Sequence, residues 1–163
     1  MAKSIVKKWF LSLKKMNNIF LNKNLIVTKE HCDRNNHMNI AYYLSHYSES
    51  TFLLLNEIGL NDDYINSNSV SAVVSKIYTL HKKELYIDNI FLIESNIVHY
   101  DKTNIVVSHN IKSNSVLISK CFMRLDFINT LSREKVEVPN NLLSECNKFF
   151  NKGVTNVFNY IKQ

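Results

Sequence analysis

A single long helical pattern constrains the fold of this chain more than any other feature. From Asn39 to Ile58, the residues that continue one stripe at helical spacing are Ile40, Tyr43, Leu44, Tyr47, Thr51, Leu54, Leu55 and Ile58. The stripe predicts a helix of about five turns, roughly 30 Å long. Gly59 follows it directly, and glycine is enriched just past the end of a helix.

Most of the remaining chain is typical of β-structure. A short apolar run at residues 25–29 precedes the helix, and the polar residues 61–69 predict a loop after it. Four runs rich in Val, Ile, Phe and Tyr then follow at residues 70–80, 85–99, 104–111 and 116–128. Residues 101–103 and 112–115 are turn candidates between them. One helix followed by consecutive long strands predicts an antiparallel α+β domain.

The composition excludes several kinds of site. Two glycines and one proline are too few for a glycine-rich phosphate loop or a dinucleotide fingerprint. The three cysteines form no C-x-x-C pair, which predicts a reduced, intracellular chain without structural zinc. The six histidines include no H-E-x-x-H spacing. We therefore expect no metal and no other cofactor. No apolar run approaches the roughly 18 residues that predict a transmembrane helix.

The net charge of +6 is concentrated near the N-terminus. Residues 1–29 hold seven lysines and no acidic residue, which leaves 13 basic and 14 acidic residues in the remainder. A nearly neutral core domain argues against a nucleic-acid-binding face, so we expect no nucleic acid partner.

The two ends of the chain are predicted to be helical additions to this domain. Within residues 1–24, Ile5, Trp9, Leu13, Met16 and Phe20 recur at helical spacing among lysines. Three interpretations of this basic extension remain open: an organellar presequence, a segment in weak contact with a membrane surface, or a helix packed on the domain. We expect a cytoplasmic protein, or one in an organelle matrix if the extension is a presequence. Residues 139–163 predict a C-terminal helical tail that Gly153 interrupts.

The densest chemistry lies in the loop before the long helix. Residues 31–39 contain two imidazoles, one carboxylate, a thiol and three carboxamides. Loops carry many functional groups. This one ends where a helix begins, and the free N–H groups of a helix N-terminus can stabilise an oxyanion.

This loop resembles the motif of hotdog-fold thioesterases of the 4-hydroxybenzoyl-CoA thioesterase type. The matching residues are Asp33, Asn35, Asn36, His37, Met38, Asn39, Ala41, Tyr43 and Leu44. The branch linked to carnitine metabolism is the most similar, and plant acyl-ACP thioesterases share a shorter core of the motif. The resemblance covers roughly residues 25 to 128. Asn36 stands where glycine is usual, and Ile40 stands where an asparagine is common.

The resemblance implies a fold, an assembly and an activity. The fold is the α+β hotdog, an antiparallel sheet wrapped around one long helix, here at residues 25–138. The assembly is a homodimer or homotetramer, because an open sheet edge can pair with another protomer. The activity is hydrolysis of an acyl-CoA thioester to a free acid and CoA. An acyl-ACP thioesterase and a non-catalytic acyl-thioester-binding protein remain as alternatives.

The resemblance also assigns roles to residues of the loop. Asp33 matches the acidic catalytic residue, acting as nucleophile or as general base. Asn35 and His37 match two further catalytic positions of the acyl-ACP branch. The expected substrate-binding residues are Asn36, Met38, Asn39, Ile40 and Tyr43. Asn39 is also predicted to cap the helix, with N–H groups from Met38 to Ile40 polarising the thioester carbonyl.

Structural interpretations compete with each of these roles. Asp33 is also a good residue for an Asx-turn, and His37 for bracing the loop. A nucleophile pair of Cys32 with His37 is a competing interpretation, although free cysteine is usually a small buried hydrophobe. His109 lies in a predicted strand and is expected to be a packed, hydrogen-bonded core residue. The aromatic residues of the helix favour a core, with an acyl pocket or a cage for a quaternary ammonium as alternatives; they are Tyr42, Tyr43, Tyr47 and Phe52.

Overall fold

The computed structural model describes residues 19–152. The strands are β1 (Phe20–Ile26), β2 (Val70–His81), β3 (Ile90–Tyr100), β4 (Asn104–Ser113), β5 (Val116–Asn129) and β6 (Lys135–Val136). The α-helices are α1 (Ile40–Glu57), α2 (Asp62–Asn68) and α3 (Asn140–Cys146), and short 3₁₀ helices span Lys29–His31 and Asn147–Phe149. Most of the predicted N-terminal extension and the end of the C-terminal tail lie outside the described residues.

The strands form one antiparallel sheet that packs against α1. Their order is β1-β3-β4-β5-β2, with β6 paired to β5. The buried His109 of β4 connects the sheet to the helix: its Nε2 lies 2.8 Å from Thr51 Oγ1 of α1 and its Nδ1 lies 2.7 Å from Ser95 Oγ of β3. The predicted α+β fold, a sheet around one long helix, is confirmed.

The ends of α1 follow directly from its sequence. Asn39 is the N-cap residue, and its side chain accepts a hydrogen bond from the N–H of Ala41 at 2.9 Å. At the other end, the N–H of Gly59 donates to Asn56 O and the N–H of Leu60 donates to Leu55 O. This is the hydrogen-bond pattern of a Schellman motif, and Gly59 adopts the φ of 98° that the motif needs. Both predicted helix boundaries are confirmed.

The predicted loop at residues 61–69 is wrong for most of its length, because α2 occupies it. The side chain of Asn61 caps this short helix by accepting from the N–H of Tyr64 at 2.9 Å. Asp62 and Asp63 lie in the first turn, where negative charge is favourable. Tyr64 and Ile65 pack against the main core. Capping and tertiary packing thus make a helix from a mostly polar sequence.

Two strands begin at different residues from those predicted. β1 starts at Phe20, so the segment expected to continue the N-terminal helix to residue 24 ends in a strand instead. β3 starts at Ile90 rather than Leu85, because a tight turn precedes it. In this turn the N–H of Asn89 donates to Tyr86 O, and Asp88 has a φ of 65°.

The two faces of the sheet have different apolar clusters. On the face toward α1, Ile105, Val107 and Ile111 of β4 join the main core with the helices. Side chains alternate between faces along a strand, so the intervening Val106 points to the opposite face. There it forms a separate buried cluster with Val98 and Phe122.

Candidate active site

A short, closed loop holds the polar residues before α1. Residues Cys32 and Met38 pair as an antiparallel bridge, and the N–H of Asp33 donates to His37 O at 3.1 Å. The N–H of Asn39 donates to His31 O at 2.9 Å. The chain therefore doubles back on itself, which brings Asp33 toward the N-terminus of α1 although the two are several residues apart.

The backbone at Asn36 explains the residue type at the tip of this loop. Its N–H donates to Asp33 O at 3.0 Å, and its φ is 63°, in the left-handed region. A turn followed by one left-handed residue is a common way to close a three-residue hairpin loop, and glycine is the usual residue there. Asparagine tolerates this conformation better than other residues with a side chain. Asn36 is therefore compatible with the backbone that glycine provides in the related motif.

The two carboxylate oxygens of Asp33 have different surroundings: one accepts a hydrogen bond within the loop, and the other is available for chemistry. Its Oδ1 accepts a hydrogen bond from the N–H of Asn35 at 2.8 Å, which is the predicted Asx-turn. Its Oδ2 makes no hydrogen bond within residues 19–152. The side chain is only half-buried, at 26% exposure, so the carboxylate can be reached from solvent. The structural and catalytic interpretations of Asp33 are therefore compatible with each other.

His37 lies between two carboxylates. Its Nδ1 is 3.9 Å from Asp33 Oδ1, and its Nε2 is 3.9 Å from Glu84 Oε1. Both distances suit charge pairing but exceed hydrogen-bond length. The other oxygen of Glu84 accepts the hydroxyl hydrogen of Tyr86, and this carboxylate raises the pKa of Tyr86.

Glu84 is a site residue that the sequence did not indicate. It follows two lysines in a polar stretch, with no motif around it. It reaches the loop because residues His37 and Tyr86 pair as an antiparallel bridge, and because the N–H of Met38 donates to Leu85 O at 2.7 Å. Such a long-range pairing has no local sequence signal.

The backbone donors at the start of α1 are fewer than predicted. The N–H groups of Met38 and Asn39 are taken by Leu85 O and His31 O, and that of Ala41 by the side chain of Asn39. The N–H of Ile40 has no acceptor within residues 19–152. Of the three predicted donors, Met38 to Ile40, it is the one whose N–H remains available to an oxyanion within residues 19–152.

The expected substrate-binding residues Asn36, Met38, Ile40 and Tyr43 differ in how deeply they are buried. Met38 is buried in the main core, whereas Asn36 and Ile40 are exposed at the surface of the loop and helix. Tyr43 is buried one turn along α1, and burial raises the pKa of its hydroxyl. Its ring packs edge-on against His81 at the end of β2, with centroids 4.8 Å apart. This packing connects the start of α1 to the edge strand of the sheet.

His109 and Cys32, for which both structural and chemical roles were considered, pack in or against the main core. His109 is fully buried, and this burial lowers its pKa to about 3. Its hydrogen bonds to Thr51 and Ser95 confirm the prediction of a packed core histidine. Cys32 is half-buried against the main core. Within residues 19–152, no three His, Cys, Asp or Glu side chains are grouped closely enough to hold a metal ion.

The sequence profile of the thioesterase-like superfamily matches residues 27–145, which include the loop, α1 and the sheet up to α3. This match spans most of the chain. The chain belongs to the thioesterase-like superfamily. As a member of this superfamily it is a thioester hydrolase, and the resemblance seen in the loop is confirmed at the level of the superfamily.

Solved structures share the fold of this superfamily member at low sequence identity. The hypothetical protein SAV2348 from Staphylococcus aureus, in complex with CoA, is 20% identical with a TM-score of 0.76, over 80% of this chain and 83% of that one. A 4-hydroxybenzoyl-CoA thioesterase variant complexed with 4-hydroxybenzoyl-CoA is 11% identical with a TM-score of 0.74, over 80% and 99%. YbaW, a probable thioesterase from Escherichia coli, is 15% identical with a TM-score of 0.66, over 80% and 97%. No curated protein matches the sequence at a significant level.

Proposed function

We propose that this protein hydrolyses an acyl-CoA thioester, with Asp33 as the residue that carries the chemical step. The observation behind the proposal is the arrangement at the start of α1. The half-buried Asp33 carboxylate and the His37 imidazole lie 3.9 Å apart in one closed loop, and Ile40, whose N–H is available, begins the helix that directly follows this loop. Acyl transfer needs a nucleophile or base on one side of the carbonyl and a donor for the developing oxyanion on the other.

In this mechanism the residues have separate tasks. The carboxylate of Asp33 removes a proton from a water molecule that attacks the thioester carbon, or it attacks that carbon itself. In both cases the C–S bond breaks and the coenzyme A thiolate leaves and takes up a proton. If Asp33 is the nucleophile, water then hydrolyses the acyl-aspartyl anhydride to the free acid and restores the carboxylate. The N–H of Ile40 donates to the carbonyl oxygen as its negative charge develops. His37, at 3.9 Å from Asp33, orients the water or the carbonyl oxygen, and Glu84 orients His37 from the other side. Asn35 fixes the rotamer of Asp33 through its backbone N–H.

A coenzyme A carrier is supported by the charge beside the loop. Lys82 and Lys83 directly precede Glu84. Burial and the Lys82 ammonium lower the pKa of Lys120 on β5, whose own ammonium lies over the Phe122 ring at 5.0 Å. Within residues 19–152, none of these three ammonium groups is paired with a carboxylate. Phosphate groups of a carrier would offset this unbalanced positive charge. SAV2348, which has a similar fold, was solved in complex with CoA.

The test combines a substrate panel with two variants. Purified protein is assayed on matched acyl-CoA and acyl-ACP thioesters, and the proposal expects turnover of the CoA series. Asp33→Asn keeps an oxygen for the Asn35 N–H but removes the charge. We expect its kcat to fall by at least about 10²-fold, the lower end of general-base contributions, with little change in KM. For His37→Ala we expect a smaller loss, about 10- to 100-fold.

Asp63→Asn is the matched control, because Asp63 is exposed on α2 and contacts no residue of the loop. Circular dichroism shows whether each variant is folded. A folded Asp33→Asn variant with wild-type kcat would exclude Asp33 as the chemical residue. Turnover of acyl-ACP alone would assign the other carrier.

A further inference from the structure

The segment just before β3 is held beside the loop by hydrogen bonds to its backbone. The N–H of Met38 donates to Leu85 O at 2.7 Å, and residues His37 and Tyr86 pair as an antiparallel bridge. From the side of the turn, the N–H of Tyr86 donates to Asn89 Oδ1 at 2.9 Å. The backbone of this segment therefore has a defined position relative to the loop, even where its side chains are exposed.

Glu84 and Tyr86 have their side chains on the same face of this segment. Leu85, between them, is 1% exposed and belongs to the main core. Successive side chains of an extended chain alternate in direction, so those of Glu84 and Tyr86 both point away from the core. There Glu84 Oε2 accepts the hydroxyl hydrogen of Tyr86. This bond raises the pKa of Tyr86, so the hydroxyl keeps its proton and remains a donor.

The Tyr86 hydroxyl restricts a carboxylate that would otherwise be free to move. The Glu84 side chain is 55% exposed, and a long exposed side chain has several rotamers available. With Oε2 bound by Tyr86, the other oxygen, Oε1, lies 3.9 Å from His37 Nε2. Within residues 19–152, Oε1 accepts no hydrogen bond. It is therefore a free acceptor directed at one nitrogen of the imidazole, and catalytic contacts that are long without substrate often shorten when substrate binds.

Asp33 faces the other ring nitrogen, but its nearer oxygen already has a donor. Asp33 Oδ1 lies 3.9 Å from His37 Nδ1 and accepts the N–H of Asn35 at 2.8 Å. A neutral imidazole has one donor and one acceptor nitrogen, and the hydrogen bond of one nitrogen determines the role of the other. The free oxygen of Glu84 favours the ring proton on Nε2, which leaves the lone pair of Nδ1 on the side of Asp33.

We propose that Glu84 and Tyr86 are positioning residues that hold His37 as the Nε2–H tautomer, so that Nδ1 accepts a hydrogen bond from the attacking water. This inference rests on the proposed function, with Asp33 as the general base. The water donates one hydrogen to Nδ1 and transfers the other, as a proton, to the Asp33 carboxylate, while its oxygen bonds to the thioester carbon. In this step His37, Glu84 and Tyr86 neither gain nor lose a proton.

Two-bond ¹H–¹⁵N NMR correlations of the histidine rings in the full chain test the tautomer directly. Spectra are recorded at pH 8, above the ordinary histidine pKa of about 6.5, and the His37 signals are assigned by their loss in His37→Gln. The wild-type ring should carry its proton on Nε2, and Asp33→Asn should keep it there. In Glu84→Ala the remaining carboxylate is that of Asp33, so the share of Nδ1–H should rise. Tyr86→Phe should give a smaller rise.

The conservative variant Glu84→Gln keeps an acceptor oxygen, so its tautomer should stay closer to wild type than that of Glu84→Ala. Tyr64→Phe is the matched control, because it removes a tyrosine hydroxyl that donates to Asn141 Oδ1, a residue of α3, and should leave the His37 signals unchanged. A wild-type ring with its proton on Nδ1, or an unchanged tautomer in Glu84→Ala, would overturn the proposal.

Steady-state kinetics separate positioning from a merely structural role. The substrate is the acyl-CoA thioester that the wild type turns over fastest. Glu84→Ala should lower kcat by about 10-fold and Tyr86→Phe by less, with KM within about two-fold, because both residues act through His37. In the His37→Ala background, adding Glu84→Ala should change kcat by less than about two-fold. The same loss of kcat in both backgrounds would overturn the proposal.

The two kinds of measurement distinguish this inference from the proposed function. The NMR spectra do not depend on turnover. A folded Asp33→Asn variant with wild-type kcat would overturn the proposed function and, with it, the positioning role. A large loss of kcat in Asp33→Asn together with a wild-type tautomer in Glu84→Ala would overturn the positioning role alone.

Discussion

Asn36 illustrates how one residue of the loop can depart from a family motif without changing its backbone. Its φ of 63° is the conformation that glycine adopts at no steric cost and that asparagine tolerates. We expect Asn36→Gly to keep kcat within about two-fold of wild type, because the backbone is already left-handed. Asn36→Val should lower both kcat and the unfolding temperature, since a β-branched residue strongly disfavours this conformation.

Steady-state kinetics and thermal unfolding of the two Asn36 variants check this prediction together. Arg34, exposed in the same loop, supplies the control substitution Arg34→Ala, for which we expect little effect on stability. Full activity in Asn36→Val would mean that the loop does not need the left-handed residue for its function.

The sequence indicated the functional residues of the loop but not the residues from elsewhere in the chain that contact them. Asp33 and His37 were indicated because they lie four residues apart in one motif. Glu84 was not indicated, because it approaches His37 only through the pairing of His37 with Tyr86. The same pairing accounts for the reduced set of backbone donors, since Leu85 O takes the N–H of Met38. Residues that contact a site only through pairing between distant segments have no recognisable pattern in the sequence around them.

His109 predicts how stability depends on pH. Burial lowers its pKa to about 3, so it stays neutral in the folded protein at pH values where an unfolded histidine, with a pKa near 6.5, takes up a proton. A group whose folded pKa is depressed stabilises the protein above its unfolded pKa and loses that contribution as the pH falls. The free energy of unfolding should therefore decrease below about pH 6.5, by roughly 1.4 kcal/mol per pH unit for this histidine.

Chemical denaturation at pH 6.5, 6.0, 5.5 and 5.0 measures this slope. His46, whose pKa is also lowered by burial, contributes in the same direction. Asp101, whose pKa is lowered to about 2, stabilises the folded protein by a constant amount throughout this window, because its contribution is lost only below the ordinary aspartate pKa. Imidazole NMR of the folded protein should find His109 neutral down to pH 5. A charged His109 ring at that pH would contradict the prediction.

At the scale of elements, the backbone conformation at the end of α1 allows us to predict how a substitution of Gly59 changes the free energy of unfolding. A Cβ built on Gly59 would meet Leu142 Cδ2 at 3.6 Å, an ordinary contact, so the cost of a side chain comes from its φ of 98°. We expect Gly59→Ala to lower the free energy of unfolding by about 1 kcal/mol, the penalty for a residue with a Cβ in the left-handed region.

Gly59→Asn provides the matched comparison, because asparagine tolerates the left-handed region and should destabilise less than alanine. Denaturant unfolding of both variants gives the difference directly. Equal stability of Gly59→Ala and wild type would contradict the Schellman end of α1.

The sequence predicted best those elements that have either a long apolar repeat or characteristic residues at a turn or a helix end. The stripe of α1 and its glycine stop give both ends of the helix, and the turn at Asn114 and Ser115 matches the predicted hairpin, with φ values of 48° and 63°. The polar helix α2 was missed because its stability depends on one capping side chain and on packing of Tyr64. Short elements with few apolar residues carry too little pattern to separate them from loops.

At the scale of the whole molecule, β2 is the feature that bears on assembly. It ends the strand order of the sheet, so one side of its backbone is unpaired within residues 19–152. Its exposed apolar side chains are Val74, Ile77, Tyr78 and Leu80. A long edge strand with such side chains is a liability unless another chain covers it. No α-helix in the described part of the chain is long and apolar enough to span a bilayer.

We therefore expect β2 to pair with β2 of a second protomer in a two-fold symmetric dimer. Ile77, at 50% exposure, lies near the middle of the strand, and Ile77→Glu would place two like charges across the interface. Light scattering at micromolar concentration should give at least twice the 19.1 kDa chain mass for wild type and a lower mass for Ile77→Glu. Leu131→Glu is the control and should keep the wild-type mass. Because His81 at the end of β2 packs on Tyr43 beside the loop, turnover should fall together with the mass. A wild-type monomer would exclude the dimer, whereas an active Ile77→Glu monomer would mean that one protomer holds a complete site.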